Sequence, residues 1–158
     1  MAFARYRIPD EPHPTGLIRY AVDPLWPLMA LMLAGNGIGL LWFAFNMRAL
    51  GSPAVLRETG YIVASLAGCA MVVLVIAGAA EYGYLQGSAV KYAALALPAV
   101  KLSLGYALYL SQSRSAEIVT HYGGVLRNGA VGLLVCFLVG RTLFAEVELP
   151  GLLAAALR

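Results

Sequence analysis

A lysine near the middle of a strongly apolar run carries the most conspicuous charge in this sequence. Lys101 lies within the run from Tyr92 to Leu110, and no other apolar run holds an Asp or Glu at a comparable depth. An ammonium at the centre of a bilayer costs about 2.5–3.5 kcal/mol on insertion scales, so such residues usually serve function or assembly. We therefore expect Lys101 to contact a partner subunit or an anion.

A polar amide, Asn36, lies at a matching depth in the run from Leu25 to Met47. Asn36 is about 11 residues into its run and Lys101 about 10, which gives equal depth if both runs are parallel helices. The Asn36 oxygen and the carbonyl freed by Pro98 could then surround the ammonium. Three roles stay open for Lys101: pairing with an acid on another subunit, lining an anion path, or being a tolerated charge that snorkels or is neutral.

The other reactive side chains do not form a catalytic or metal-binding pattern. His13 and His121 are separated by three apolar runs, which disfavours a bis-histidine haem. Glu117 and His121 are four residues apart, a spacing more typical of a solvated pair on a helix. The remaining nucleophiles have no base at their own depth; they are Ser65, Cys69, Ser103 and Cys136. We expect no enzymatic activity, no metal and no cofactor.

The composition predicts an all-α integral membrane protein. Of the 158 residues 61% are hydrophobic and 12% are charged, whereas soluble domains carry about 25% charged residues. A membrane span needs roughly 20 apolar residues, and four such runs can be placed: Leu25–Met47, Tyr61–Ala80, Tyr92–Leu110 and Val125–Phe144. The expected architecture is a four-transmembrane-helix bundle over residues 25–145, between an extended basic, proline-rich tail (1–24) and a short interfacial tail (146–158).

Small residues at four-residue spacing indicate where the helices pack closely. Gly35 and Gly39 form one such pair, and Ala64 and Gly68 form another. This spacing lets two helix backbones approach each other, so we expect these four residues to lie in helix seams. Because three glycines fall between residues 35 and 39, a local helix break is the alternative there.

The third run has two further features. Pro98 precedes Lys101 and predicts a kink, while the chain beyond Leu110 has no helix breaker before Gly123. We expect this helix to continue past the membrane as an exposed stem carrying Arg114, Glu117 and His121.

With an even number of spans the two termini share a side. The Lys and Arg count, six against four, favours placing both in the cytoplasm. The expected function is a non-catalytic subunit that assembles or anchors a larger complex in a bacterial inner membrane. Its partners would be lipid and other integral membrane subunits, including any with an intramembrane Asp or Glu, and not nucleic acid. The alternative is a small homo-oligomeric channel or carrier for an anion or small solute, with Lys101 lining the path.

Overall fold

The computed structural model describes residues 16–146, with side chains described as far as residue 142. The described part is all-helical, with a 3₁₀ turn at Ile18–Tyr20 and six α-helices. These are α1 Leu25–Leu33, α2 Asn36–Leu50, α3 Val55–Glu81, α4 Ser88–Ala93, α5 Ala96–His121 and α6 Ala130–Glu146. The predicted extended tail before residue 16 and the predicted interfacial tail after residue 146 lie outside the described residues.

The first predicted span is not one helix, which corrects the sequence-based boundary Leu25–Met47. The chain reverses at Gly35, whose φ of 105° is a conformation that favours glycine. After this turn Gly39 packs directly on the backbone of Leu31. A continuous helix would place these two residues about 12 Å apart along its axis. Helices α1 and α2 therefore form an antiparallel hairpin.

The hairpin reaches only to the middle of the longest helix. α3 has 27 residues and is about 40 Å long, while α2 has 15 and is about 22 Å long. Asn36, the first residue of α2, is hydrogen-bonded to Ser65 near the centre of α3. The other end of α2 lies near the start of α3, because only residues 51–54 connect them.

The remaining helices enclose the hairpin. α3 and α5 pack against each other over much of their length and run antiparallel, since Arg57 contacts Ser111 and Gly68 faces Val100. α6 packs mainly on α1 and runs parallel to it: Gly129 faces Trp26, and Gly140 faces Ala34. The hairpin tip, residues 34–36, is consequently buried between α3 and α6.

We call the end of the bundle that holds residues 16–24, 51–54 and 122–129 the hairpin end, and the end that holds residues 82–87 the opposite end. A small core at the hairpin end joins the chain before α1 to α2 and α5 through Ala21, Leu50 and Val119. A second core lies deeper, around Leu31 and Phe43. α6 starts at the hairpin end and runs toward the opposite end.

Two stretches are long and apolar enough to cross a membrane, Val55–Glu81 and Ser88–His121. In the apolar 18-residue window of each stretch, 11% of the residues are buried within the described fold. The second stretch contains α4 and α5, which are separated by Ala94 and Leu95. The predicted third helix therefore begins at Ala96 and not at Tyr92, and Pro98 falls in its first turn, where proline is tolerated.

The extension of the third helix beyond Leu110 is confirmed, because α5 continues to His121. The expectation of an exposed stem is wrong for one face. Arg114, Glu117 and His121 are exposed, whereas the opposite face packs against α2 and α3. The buried members of that face are Ser111, Gln112, Ser115, Ala116 and Val119.

Candidate functional site

A group of polar side chains, which we call the central cluster, lies where the hairpin tip meets α3 and α5. The Asn36 side chain is fully buried. Its Nδ2 donates to Cys69 Sγ at 3.6 Å, and its Oδ1 accepts from the Ser65 hydroxyl at 3.2 Å. Lys101 of α5 is half-buried, and Val100 next to it packs against Gly68, the residue before Cys69. The structure thus places Asn36 and Lys101, the two residues singled out in the sequence, beside the same cysteine.

The central cluster is electropositive. Asn36 opens α2, and the start of a helix carries a partial positive charge from its unpaired N–H groups. The Lys101 ammonium adds a full charge at the same level of the bundle. This arrangement can attract an anion or an acidic side chain.

The four predicted packing residues have different environments. Gly35 forms the turn of the hairpin, so a break and close packing both occur in the first glycine group. Gly39 touches the Leu31 backbone, and a Cβ on Gly68 would lie 2.9 Å from Val100 Cγ1. Ala64 is exposed on α3, which corrects its predicted place in a seam, because the face of α3 that packs inward carries Ser65 and Cys69.

A second polar group, the Glu58 network, was missed by the sequence analysis. Glu58 is fully buried in the first turn of α3. Its Oε1 accepts hydrogen bonds from the hydroxyls of Ser52 at 2.7 Å and Ser111 at 2.8 Å. Its Oε2 accepts from Gln112 Nε2 at 3.1 Å. Three donors from a loop and α5 therefore compensate the burial of this carboxyl group.

The network continues from Gln112 to the chain that precedes the hairpin. Gln112 Nε2 also donates to the Phe43 carbonyl at 2.9 Å, and Gln112 Oε1 accepts from Asn46 Nδ2 at 3.0 Å. Asn46 Oδ1 accepts from the backbone N–H of Val22 at 3.0 Å. Every buried polar side-chain atom among the described residues has a hydrogen-bond partner. The network thus holds the hairpin, α3 and α5 in one arrangement.

Glu58 was overlooked because it precedes the apolar run that starts at Tyr61. Ser111, Gln112 and Ser115 were likewise assigned to a solvated stem. One signal was available in the sequence: these three residues have the spacing of a single helical face. The packing of that face against α2 and α3 is a tertiary feature, and it brings the donors of α5 to the buried carboxyl group.

Metal ligation finds no support in the described part of the chain, which has no group of three or more His, Cys, Asp or Glu side chains suited to a metal ion. The His121 ring packs edge-on against Tyr122.

In comparisons with known proteins, no family model matches the chain, and no curated protein or solved structure is significantly similar to it.

Proposed function

We propose that this chain is an integral membrane protein whose helices α3, α5 and α6 cross the bilayer. Support comes from the apolar windows of the two long stretches, of which 11% is buried inside the fold. A core helix of a soluble protein would have most of this surface covered. Lipid covers such surfaces without loss of hydrogen bonds, because a helix satisfies its own backbone groups.

On this proposal the α1–α2 hairpin enters the membrane and leaves it on the same side. Non-helical backbone at membrane depth is tolerated where protein encloses it, and the buried tip at Gly35 meets that requirement. Three crossings then follow the hairpin, so residue 16 and the end of α6 lie on opposite sides. This arrangement replaces the expectation that both termini share a side.

The distribution of basic residues supports the same topology. In this topology seven Lys or Arg residues would lie on the side of the hairpin end, and three would lie on the other side. The seven are Arg5, Arg7, Arg19, Arg48, Arg57, Arg114 and Arg127, and the three are Lys91, Arg141 and Arg158. This asymmetry exceeds the six-to-four count of the four-span arrangement, and it favours a cytoplasmic hairpin end in a bacterial inner membrane.

We propose that the chain acts without catalysis, as a subunit that assembles or anchors a larger membrane complex. The observation that carries this proposal is Lys101, which lies in the second turn of α5 and is only half-covered by this chain. Its neighbour Val100 packs against Gly68, so Lys101 is level with the middle of α3 and therefore deep in the proposed membrane. Part of a charged side chain at that depth would face lipid, at a cost of about 2.5–3.5 kcal/mol. An acidic side chain on a neighbouring membrane subunit would remove that cost.

A second candidate function is an anion or small-solute path through a homo-oligomer. It is favoured by the α1–α2 hairpin, which reaches only to the middle of the bundle and so puts the positive end of α2 at the level of Lys101. Discontinuous helices in transporters present their N-termini to anionic groups in the same way. Here the uncovered side of Lys101 would face water at the centre of the oligomer.

One variant separates the two functions. Lys101→Met keeps the length and apolar bulk of the side chain and removes its charge, while Lys91→Met removes an exposed lysine near the opposite end as a matched control. Each variant is extracted in mild detergent for mass spectrometry of co-purifying proteins and reconstituted into vesicles for chloride flux. The subunit function predicts loss of membrane partners with Lys101→Met alone.

If Lys101→Met still assembles with its partners but no longer carries chloride, the result would support the anion path instead. Unchanged partners and unchanged flux would refute both roles and leave Lys101 a tolerated charge. Melting of each variant in detergent shows whether folding is preserved, as we expect for a substitution that removes a charge from an apolar environment.

A further inference from the structure

A cleft of about 540 Å³ opens at the hairpin end, between the start of α3 and the second half of α5. It is lined by two arginines, Arg57 and Arg114, and by the buried residues Ser111 and Ser115. This cleft is separate from the central cluster, because Arg57 lies 12 residues before Cys69 on the same helix, about 18 Å along its axis. The function proposed above makes no use of it.

The cleft is lined by two positive charges and by no acidic side chain. Both guanidinium groups belong to exposed residues, and neither has a carboxylate partner among the described residues. Glu58 is the nearest acid in the hydrogen-bond network, but it is fully buried and does not line the cleft. α3 also begins here, and no side chain caps its first turn. The positive end of the helix dipole lies here too, and the buried Glu58 carboxyl group in the same first turn offsets part of it.

Arg57 is held in place through the Glu58 network. Its Nη2 donates to Ser111 Oγ at 3.1 Å, and Ser111 in turn donates its only hydroxyl proton to Glu58 at 2.8 Å. A guanidinium has five N–H donors in a fixed fork, so one bond to Ser111 orients it while other donors remain for a ligand. The serine acts as a positioning residue for the arginine.

We propose that this cleft binds a phosphate group, carried by a phospholipid headgroup or by free phosphate. Two arginines and a helix N-terminus are the donors that proteins use for phosphate oxygens. Neighbouring apolar side chains favour the lipid source: Leu56 lines the cleft and is 89% exposed. Arg57 lies four residues before the apolar run that begins at Tyr61, which would place it at headgroup level in a cytoplasmic leaflet rich in anionic lipid.

The test uses the full chain and two sources of phosphate. For the lipid source, the protein is reconstituted in phosphatidylcholine nanodiscs that contain a minor fraction of phosphatidylglycerol, and retained lipid is counted by native mass spectrometry. For the free source, inorganic phosphate is titrated into the protein in a non-ionic detergent by calorimetry. The variants are Arg57→Gln and Arg114→Gln, with Arg141→Gln as control, because Arg141 is an exposed arginine of α6 near the opposite end.

We expect each cleft variant to lower the affinity for its phosphate source by about tenfold or more, as the loss of a charge-assisted hydrogen bond does. Arg141→Gln should bind like the wild type. Selective retention of phosphatidylglycerol supports the lipid source, and binding of inorganic phosphate without lipid selectivity supports free phosphate.

The proposal is overturned if neither source binds, or if Arg141→Gln loses as much affinity as the cleft variants. If Arg57→Gln unfolds, the binding measured with Arg114→Gln tests the proposal, because Arg114 is outside the Glu58 network and its substitution should not disturb folding. Only the lipid measurement depends on the proposed membrane placement. The titration in detergent therefore distinguishes failure of the cleft from failure of the proposed topology.

Discussion

The close contact inside the α1–α2 hairpin predicts an unusual effect of adding one methyl group. In Gly39→Ala the new Cβ would overlap Leu31, with the Leu31 backbone nitrogen 2.5 Å away. A backbone atom cannot rotate aside as the end of a flexible side chain can. The two helices would have to separate, and Leu31 would lose part of its contact with the deeper core.

The size of the effect follows from two opposing contributions. Overpacking of a rigid site costs about 3 kcal/mol at the upper end of the usual range, while alanine in place of glycine within a helix contributes about 1 kcal/mol in favour of folding. Gly39→Ala should therefore lower the free energy of unfolding by about 2 kcal/mol. Gly78→Ala is the matched control, since a Cβ at this glycine of α3 meets nothing within 4 Å, and it should raise the same free energy by about 0.5–1 kcal/mol.

The two variants are compared by reversible unfolding in mixed micelles with increasing sodium dodecyl sulfate, followed by circular dichroism. The expected difference between them is about 2.5–3 kcal/mol. If Gly39→Ala is as stable as the wild type or more stable, then α1 and α2 do not approach each other at Leu31, and the hairpin is wrong. A destabilised Gly78→Ala would show instead that the control helix faces an unrecognised partner.

Two further predictions concern the Glu58 network and the topology. Glu58→Ala removes the acceptor of three hydrogen bonds, and Gln112 Nε2 then keeps only its bond to the Phe43 carbonyl. Each lost bond costs about 1–3 kcal/mol, so unfolding in the same assay should become easier by about 3 kcal/mol. The exposed Glu81→Ala should change little, and equal stability of the two variants would contradict the burial of Glu58. For topology, Gly16→Cys and Pro53→Cys should react with an impermeant maleimide from the same side of the membrane and Gln86→Cys from the other, with the wild type as baseline for the native cysteines. Labelling of the first two from opposite sides would mean that the first apolar run crosses the bilayer.

The local features of the fold were readable in the sequence because they depend on neighbouring residues. The absence of a breaker after Leu110 correctly predicted that the third helix continues, and α5 ends at His121. Four apolar runs predicted four helices long enough for a membrane, and among the described residues two stretches meet that length, α3 and the α4–α5 stretch. The first run is divided into α1 and α2, and the fourth gives the shorter helix α6. The glycine-rich segment from Gly35 to Gly39 indicated a break or close packing, and the hairpin contains both.

The sequence could not determine which of its polar residues would be enclosed. Glu58 and Gln112 look like boundary residues because the side chains next to them along the chain are polar or charged. Once the chain has reversed at Gly35, α2 packs against Gln112 through Phe43 and Asn46. A hydrogen-bonded carboxyl group in a protein interior requires donors from distant segments, here the loop containing Ser52 and the face of α5. Such donors meet only after the helices have packed, so the sequence determined the helices and the tertiary structure determined the polar interior between them.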